Sequence, residues 1–171
     1  MIIFDIDGVL ADNSHRLHYA KEGNFVKYYS QEEVLKDEPL LKGVNLLSMF
    51  KGHEIHFVTG RSEICREATI KWLKRILMLA HMGALPFPVE VSMRNTGDHR
   101  PSPIVKVELM GELLTHLEKL PVLSTMEPPS GYFIDDDPNN IIAIEKAFPN
   151  FKGLCFGTER LYEVAEVKPN E

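Results

Sequence analysis

The sequence predicts an α/β fold, in which helices cover both faces of a parallel β-sheet. Two observations support this: short apolar runs alternate with segments of helical periodicity, and the runs have the apolar character of strands buried on both faces. Of the 171 residues, 44% are hydrophobic and 26% charged, which excludes a disordered or low-complexity chain. This length suits one domain, which we expect to span residues 1–171.

Five strands are predicted in chain order. The first is the apolar run at residues 2–6, and the second, at residues 53–59, is stopped by Gly60. The remaining three are expected at residues 89–93, 132–134 and 151–156.

Helices are predicted between these strands. Ser62 is a candidate N-cap for a helix that runs to about residue 80, and a second helix is expected at 103–119. A third begins at Asp137 and Pro138, with an acidic cap and a proline in its first turn, and stops at Pro149. The first crossover helix is expected at residues 43–51.

Residues 11–53 fit the strand–helix alternation poorly. The stretch from 14 to 35 is helical in character and carries several aromatic residues among many charges. We therefore expect a small helical cap insertion after the first strand, at residues 12–42, standing over the end of that strand. The aromatic residues could form a small hydrophobic core there or stack on a ligand: Tyr19, Phe25, Tyr28 and Tyr29.

Composition excludes several classes of protein. The two cysteines have no zinc-ligand spacing, and a net charge of −6 argues against a bulk polyanion binder. The chain lacks a run of 18 apolar residues, so no membrane span is expected, and the absence of a signal-peptide pattern suggests a cytoplasmic protein. The sequence predicts no oligomeric state.

Polar residues gather where the predicted strands end. Asp5 and Asp7 follow the first strand, Thr59 ends the second, and three aspartates, 135–137, close the fourth. The carboxyl ends of parallel strands meet at one edge of the sheet, so these carboxylates would repel one another without a cation. Oxygen ligands of this kind suit Mg²⁺.

This set can perform covalent phosphoryl transfer. Gly8 permits a sharp turn after the first strand, so that one carboxylate can attack phosphorus while the next handles protons. Thr59 can offer a hydroxyl and a backbone N–H to the phosphoryl oxygens, and Lys106 an ammonium group.

The same residues resemble four ordered motifs of the haloacid dehalogenase (HAD) superfamily of phosphatases: Phe-Asp5-Ile-Asp7-Gly8, Val-Thr59-Gly-Arg61, Lys106, and Ile-Asp135-Asp136-Asp137. The run from Met93 to Lys106 further resembles the 3′-phosphatase domain of polynucleotide kinase-phosphatases. The resemblance implies a Rossmann-like parallel sheet flanked by helices, with a small cap insertion.

The resemblance also implies roles for individual residues. Asp5 would be the nucleophile and an Mg²⁺ ligand, and Asp7 the general acid/base and a ligand through its carbonyl. Asp135 would bind Mg²⁺ with Asp136 in support. The residues expected to hold substrate phosphate or to order the site are Thr59, Gly60, Arg61, Arg94, Arg100 and Lys106.

The expected substrate is a phosphorylated nucleotide or nucleic-acid end. Two departures from the family pattern stand out: Ser102 occupies a position that is commonly acidic, and Val9 replaces a usual threonine. No G-x-x-x-x-G-K-[ST] loop occurs, so no ATP site is expected.

Other functions stay open at this point. The net negative charge argues against tight strand binding, which leaves a nucleoside 5′-monophosphatase as an alternative. A catalytically idle HAD-like phosphate-binding module and a phosphotransferase or phosphonatase on the same fold are also compatible with the motifs. A response-regulator receiver is disfavoured, because there the acid pair comes early and the nucleophile later. A calcium loop fails because Asn140 and Lys146 stand where it needs glycine and glutamate.

Overall fold

A computed structural model of the chain describes residues 1–82, 89–119, 129–157 and 161–163. The strands are β1 (Ile2–Phe4), β2 (Ala11–Asp12), β3 (Glu38–Pro39), β4 (Ile55–Ser62), β5 (Val91–Arg94), β6 (Gly131–Asp135), β7 (Phe151–Phe156) and β8 (Leu161–Glu163). Six of them form one sheet with the order β5-β4-β1-β6-β7-β8, while β2 and β3 pair separately.

The large sheet confirms the predicted α/β architecture. Its five strands from β5 to β7 are mutually parallel, and β8 adds an antiparallel edge that the sequence analysis did not predict. Strand β4 continues to Ser62, past the predicted stop at Gly60, because an irregular register between Thr59 and Ser62 lets the pairing with β5 resume.

Four longer helices pack on this sheet: α4 (Leu41–Met49), α5 (Arg66–Leu79), α6 (Ser102–Glu118) and α7 (Pro138–Ala147). They lie within a few residues of the predicted helices. The Asp137 side chain caps α7 by accepting a hydrogen bond from the backbone N–H of Asn139, as predicted. The Ser62 side chain instead caps a 3₁₀ turn, Glu63–Cys65, that precedes α5.

Between β1 and α4 the chain forms a small helical unit, residues 11–39, which we call the insertion. The stretch predicted as helical is divided into α1 (Leu17–Lys21), α2 (Phe25–Tyr28) and α3 (Gln31–Leu35). The breaks have local causes: Gly23 takes a positive φ of 74°, and the side chains of Asn24 and Ser30 each cap a new helix. The cap boundaries of 12–42 and the single domain of 1–171 stay predictions.

The hydrophobic core lies on both faces of the sheet. Phe4 points into a cluster that includes Leu47 of α4 and Trp72 of α5, whereas its neighbour Ile3 packs with Met110 of α6 and other residues on the opposite face. Among the described residues, no helix is long and apolar enough to cross a membrane.

Strand β1 occupies the centre, and this positions the site. Phe4 pairs with Phe57 of β4 on one side and with Ile134 of β6 on the other. The residues that follow these three strands therefore lie at one edge of the sheet.

Candidate active site

One lysine joins two of the predicted strand-end carboxylates. Lys106 lies in the second turn of α6, and its Nζ is 2.8 Å from Asp5 Oδ2 and in direct contact with Asp135 Oδ2. All three side chains are buried. Asp135 is fixed further by hydrogen bonds to its Oδ1 from the Asn140 side-chain amide and the Asp137 N–H, each 2.9 Å long.

Among the described residues, carboxylates outnumber cations in this cluster. Ligand oxygens of Asp5, Asp135 and Asp136 all lie within 4.8 Å of one another. Against three carboxylates Lys106 supplies a single positive charge, so the fully ionised cluster carries a net charge of −2. A divalent cation with oxygen preference would balance that charge, and the donor set fits Mg²⁺.

Crowding and burial shift the protonation of this cluster. Burial raises the pKa of Asp5 to about 8; Lys106 opposes the rise, and the neighbouring Asp135 and Asp7 add to it. Desolvation likewise raises the pKa of Asp136 to about 6, with Asp135 adding to the effect. The protein without metal therefore tends to hold protons where a bound cation would replace them.

The turn after β1 depends on Gly8. Its φ is 78°, a conformation that side-chain-bearing residues rarely adopt, and a Cβ at this position would lie 2.1 Å from Asp136 Oδ2. The bare glycine thus allows the chain to turn and lets Asp136 approach the strand end. Its role as a turn residue was predicted, but its contact with Asp136 was not.

Asp7 is held by a second, separate network. Its carboxylate accepts hydrogen bonds from Arg61 Nη2 at 2.6 Å and from Arg16 Nη2 at 3.0 Å. Both arginines are buried and both also bind Asp37, which closes a four-residue network of two cations and two anions. The network joins the end of β1, the end of β4 and the insertion.

These arginines set the charge of Asp7. Burial alone would raise the pKa of Asp7, but Arg61 and then Arg16 more than offset burial and hold the pKa below its usual value. Asp7 is therefore a carboxylate in the resting protein at neutral pH. It faces two guanidinium groups, whereas Asp5 faces an ammonium group and further acids.

The remaining predicted site residues lie around the end of β4. Thr59 is buried, and its hydroxyl accepts a hydrogen bond from the N–H of Arg61. The Gly60 carbonyl accepts a 3.0 Å hydrogen bond from Arg94 Nε. Arg100 differs from the others, because its side chain is half-exposed and bound to Asp98 and Glu108 on the surface.

The structure thus places the predicted residues in the carboxylate–lysine cluster, in the Asp7 network and around the end of β4, and it leaves Arg100 at the surface. Sequence reasoning missed Arg16, Asp37 and Asn140. Arg16 and Asp37 belong to the insertion, where charged residues are frequent and none stands in a motif. Only a folded chain shows that Arg16 packs against Asp7 and that Asp37 shares the same two arginines.

A family model matches most of the chain. The model of the polynucleotide kinase PNKP phosphatase domain, a HAD-type domain, matches residues 1–119, which is more than half of the chain. The chain belongs to this family. The match extends from β1 to the end of α6 and so includes the Asp5, Thr59 and Lys106 positions.

Solved structures share the fold at low sequence identity. A chain of a Pnkp1/Rnl/Hen1 complex has a TM-score of 0.56 and 21% identity, covering 91% of this chain and 45% of its own. A chain of the Pnkp1/Rnl/Hen1 RNA repair complex has a TM-score of 0.57 and 22% identity, and the match covers 92% of this chain and 42% of that one. The chain thus spans less than half the length of each of these two solved chains. Mycobacterium tuberculosis Protein Tyrosine Kinase A (PtkA) gives 0.52 and 16%, covering 99% of this chain and 89% of its own. No curated protein matches the sequence significantly.

Proposed function

We propose that the protein is an Mg²⁺-dependent phosphomonoesterase that removes phosphate from a nucleic-acid end, in the manner of a polynucleotide 3′-phosphatase, through an aspartyl-phosphate. The observation that carries the proposal is the buried contact of Lys106 with both Asp5 and Asp135, beside a separately held Asp7. Membership of the PNKP phosphatase-domain family supports the phosphatase chemistry.

Asp5 is the proposed nucleophile. Lys106 binds its Oδ2, whereas its buried Oδ1 has no hydrogen-bond partner among the described residues. That oxygen attacks phosphorus, a bond forms between Oδ1 and phosphorus, and the bond from phosphorus to the leaving oxygen breaks. Lys106 keeps the carboxylate oriented and offers positive charge to the phosphoryl oxygens.

Asp7 is the proposed general acid/base. It gives a proton to the leaving oxygen in the first half of the reaction and takes one from the water that hydrolyses the aspartyl-phosphate in the second. Arg61 and Arg16 fix its orientation. Since they also favour its ionised form, the resting protein is prepared for the basic half of the cycle and must acquire a proton for the acidic half.

The metal ligands are proposed to be Asp5, Asp135 and Asp136, whose oxygens lie together. The Asp7 backbone carbonyl is proposed as a further ligand on the family resemblance alone. A bound Mg²⁺ supplies positive charge that screens the carboxylates from the incoming phosphate and polarises its oxygens. Thr59, Gly60, Arg61 and Arg94 are proposed to hold the phosphate. We assign Arg100 to ordering the loop that follows Arg94, because it binds Asp98 of that loop.

The proposed substrate class is inferred from the family and from one solved structure. One chain of a complex described as an RNA repair complex shares this fold over 42% of its length. A 3′-phosphate is a terminus that RNA repair must remove before strands can be joined. A nucleic-acid end is therefore favoured over a free nucleoside 5′-monophosphate.

The test compares phosphate release by the wild type, Asp5→Asn and Asp137→Asn. Substrates are 3′-phosphorylated DNA and RNA oligonucleotides and free nucleoside 5′- and 3′-monophosphates, with Mg²⁺ or EDTA. We expect Mg²⁺-dependent release from the oligonucleotides, loss to background in Asp5→Asn, and retention in Asp137→Asn, whose side chain only caps α7. Substantial release by Asp5→Asn would refute the mechanism. A preference for 5′-monophosphates would indicate the nucleotidase, and no release from any substrate an idle module.

A further inference from the structure

A second concave surface lies outside the carboxylate and lysine cluster. It is a cavity of about 440 Å³ between the insertion and the loop that joins β5 to α6. This volume exceeds what a phosphate needs and falls in the range of roughly 300–1,000 Å³ that small organic ligands occupy. Its lining includes Phe25, Tyr29 and Ile64 on one side and the loop residues 94–100 on the other.

The insertion presents aromatic rings to this cavity. The rings of Phe25 and Tyr29 are nearly parallel, with centroids 6.4 Å apart and an interplanar angle of 22°. The His99 ring approaches Phe25 from the loop at 5.6 Å. Phe25 is 40% exposed and the adjacent Val26 is 79% exposed, whereas Tyr28 is buried in the insertion. Only part of the aromatic cluster is thus core, and one face is left to solvent.

The cavity is connected to the phosphate-binding strand end. The Tyr29 hydroxyl donates to the Gly60 carbonyl at 3.3 Å, and Arg94 Nε donates to the same oxygen at 3.0 Å. Arg94 Nη1 binds two loop carbonyls, while Nη2 makes no hydrogen bond with any described residue. The side of the cavity next to Gly60 therefore carries the Arg94 guanidinium, whose Nη2 is available to donate to a ligand.

We propose that this cavity is a subsite for the terminal nucleobase of the strand whose phosphate is hydrolysed. The inference rests on the proposed function. The base stacks on the exposed face of Phe25, and the free edge of Arg94 faces the phosphate. Asn95 and Thr96, both exposed at the rim, supply donors and acceptors that suit a nitrogen heterocycle better than a plain phenyl ring. Because every base has a π-face, the subsite tolerates all four bases.

The test separates base recognition from the phosphoryl chemistry. Two oligonucleotides are compared, one with a normal 3′-terminal nucleoside 3′-phosphate and one whose terminal sugar lacks a base. Wild type should favour the base-bearing end in kcat/KM. In Phe25→Ala the ratio of the two kcat/KM values should fall on the order of tenfold, mainly through KM, as for the loss of one stacked base. Phe25→Trp should restore it.

The control is Tyr132→Ala. Tyr132 has a similar exposure of 39% but lies near the amino end of β6, whereas the site lies at the carboxyl ends of the strands. Its replacement should therefore leave the ratio of the two kcat/KM values unchanged. Equal ratios in wild type and Phe25→Ala would overturn the proposal. So would a wild-type preference for a phosphotyrosine peptide over both oligonucleotides.

Binding keeps the subsite testable even if the proposed function fails. Fluorescence anisotropy of the two labelled oligonucleotides in EDTA measures affinity without turnover. If no substrate is hydrolysed, yet the base-bearing end binds more tightly and Phe25→Ala removes the difference, the subsite stands and the hydrolase does not. Equal affinities in wild type would reject the subsite, whatever the hydrolysis shows.

Discussion

Arg16 and Asp7 form a partly buried ion pair, with Nη2 of Arg16 3.0 Å from Oδ1 of Asp7. Arg16 also binds both oxygens of Asp37, and its guanidinium lies 4.5 Å from the centre of the Tyr28 ring. The Arg16 side chain has no exposed surface. The insertion therefore does more than stand over the strand end, because it contributes charge to the environment of the proposed general acid/base.

Replacement of Arg16 should damage both stability and activity. Arg16→Ala leaves the buried Asp37 carboxylate, and the partly exposed Asp7 beside it, with one guanidinium instead of two. We expect a loss of about 3–5 kcal/mol in the free energy of unfolding, as for a broken buried ion pair. Arg16→Lys keeps the positive charge but lacks the guanidinium that binds both oxygens of Asp37, so it should lose less stability than Arg16→Ala. Urea unfolding measures the change in stability, and phosphate release measures the change in activity.

The matched control for Arg16 is Arg66→Ala. Arg66 pairs with Glu63 at the partly exposed start of α5, where an ion pair contributes about 0–1 kcal/mol. Similar losses for the two variants would contradict the role we give to burial.

Much of the fold could be predicted from the sequence because its signals are local. The apolar runs and the helix caps predicted the five parallel strands and the helices α4 to α7, and the Asp137 cap was confirmed. The insertion was less predictable, since its three short helices are divided by single caps and a glycine inside one continuous helical pattern.

The residues of the candidate site likewise fall into those that the sequence predicted and those that it did not. Residues in strand-end motifs could be named in advance, because parallel strands bring their ends together whatever the details of packing. Arg16 and Asp37 could not, since their burial depends on how the insertion folds back over β1. No sequence spacing indicates that two arginines would share Asp7 and Asp37.

The pH dependence should differ between leaving groups. Arg61 and Arg16 hold the pKa of Asp7 below its usual value, so the acid form needed to protonate an alkoxide becomes more populated as pH falls. A nitrophenolate leaves without that proton. We expect the ratio of kcat/KM for a 3′-phosphorylated oligonucleotide to kcat/KM for nitrophenyl phosphate to rise from pH 8 to pH 5. The ratio cancels titration of Asp5, which both substrates require, and a flat ratio would contradict acid catalysis by Asp7.

The same shift predicts how Asp7 affects stability. A carboxyl whose folded pKa is depressed stabilises the protein above its unfolded pKa, and this contribution is lost as pH falls through the folded value. The stability difference between wild type and Asp7→Asn should therefore be largest near neutral pH and shrink below about pH 4. Denaturant unfolding from pH 3 to pH 7 measures it, and a difference that grows toward acid would refute the assignment.

Mg²⁺ should bind and stabilise the folded protein. At a concentration of 100 times its Kd, the ion should add about 2.7 kcal/mol, or roughly 5–10 °C in Tm. Affinity should rise from pH 5 to pH 8, because the pKa values of Asp136 and Asp5 are raised to about 6 and about 8, and both must lose protons to bind metal. Asp136→Asn should weaken binding, whereas Asp137→Asn should not. Titration calorimetry at several pH values measures the Mg²⁺ affinity of the wild type and of both variants. Binding that does not change with pH would contradict the proposed ligands.

Gly8 should be needed for metal binding as well as for folding. Gly8→Ala places a Cβ 2.1 Å from Asp136 Oδ2 in a backbone with φ of 78°, so the variant should lose stability by at least about 1 kcal/mol and also displace Asp136. Gly97→Ala is the matched control, because Gly97 has φ of 81° but no atom within 4 Å of the added Cβ. Both variants should be destabilised by strain, yet only Gly8→Ala should lose much of the Mg²⁺-induced rise in Tm. If both retained the full rise, the contact between residue 8 and Asp136 would have no part in forming the metal site, and Gly8 would serve only the turn.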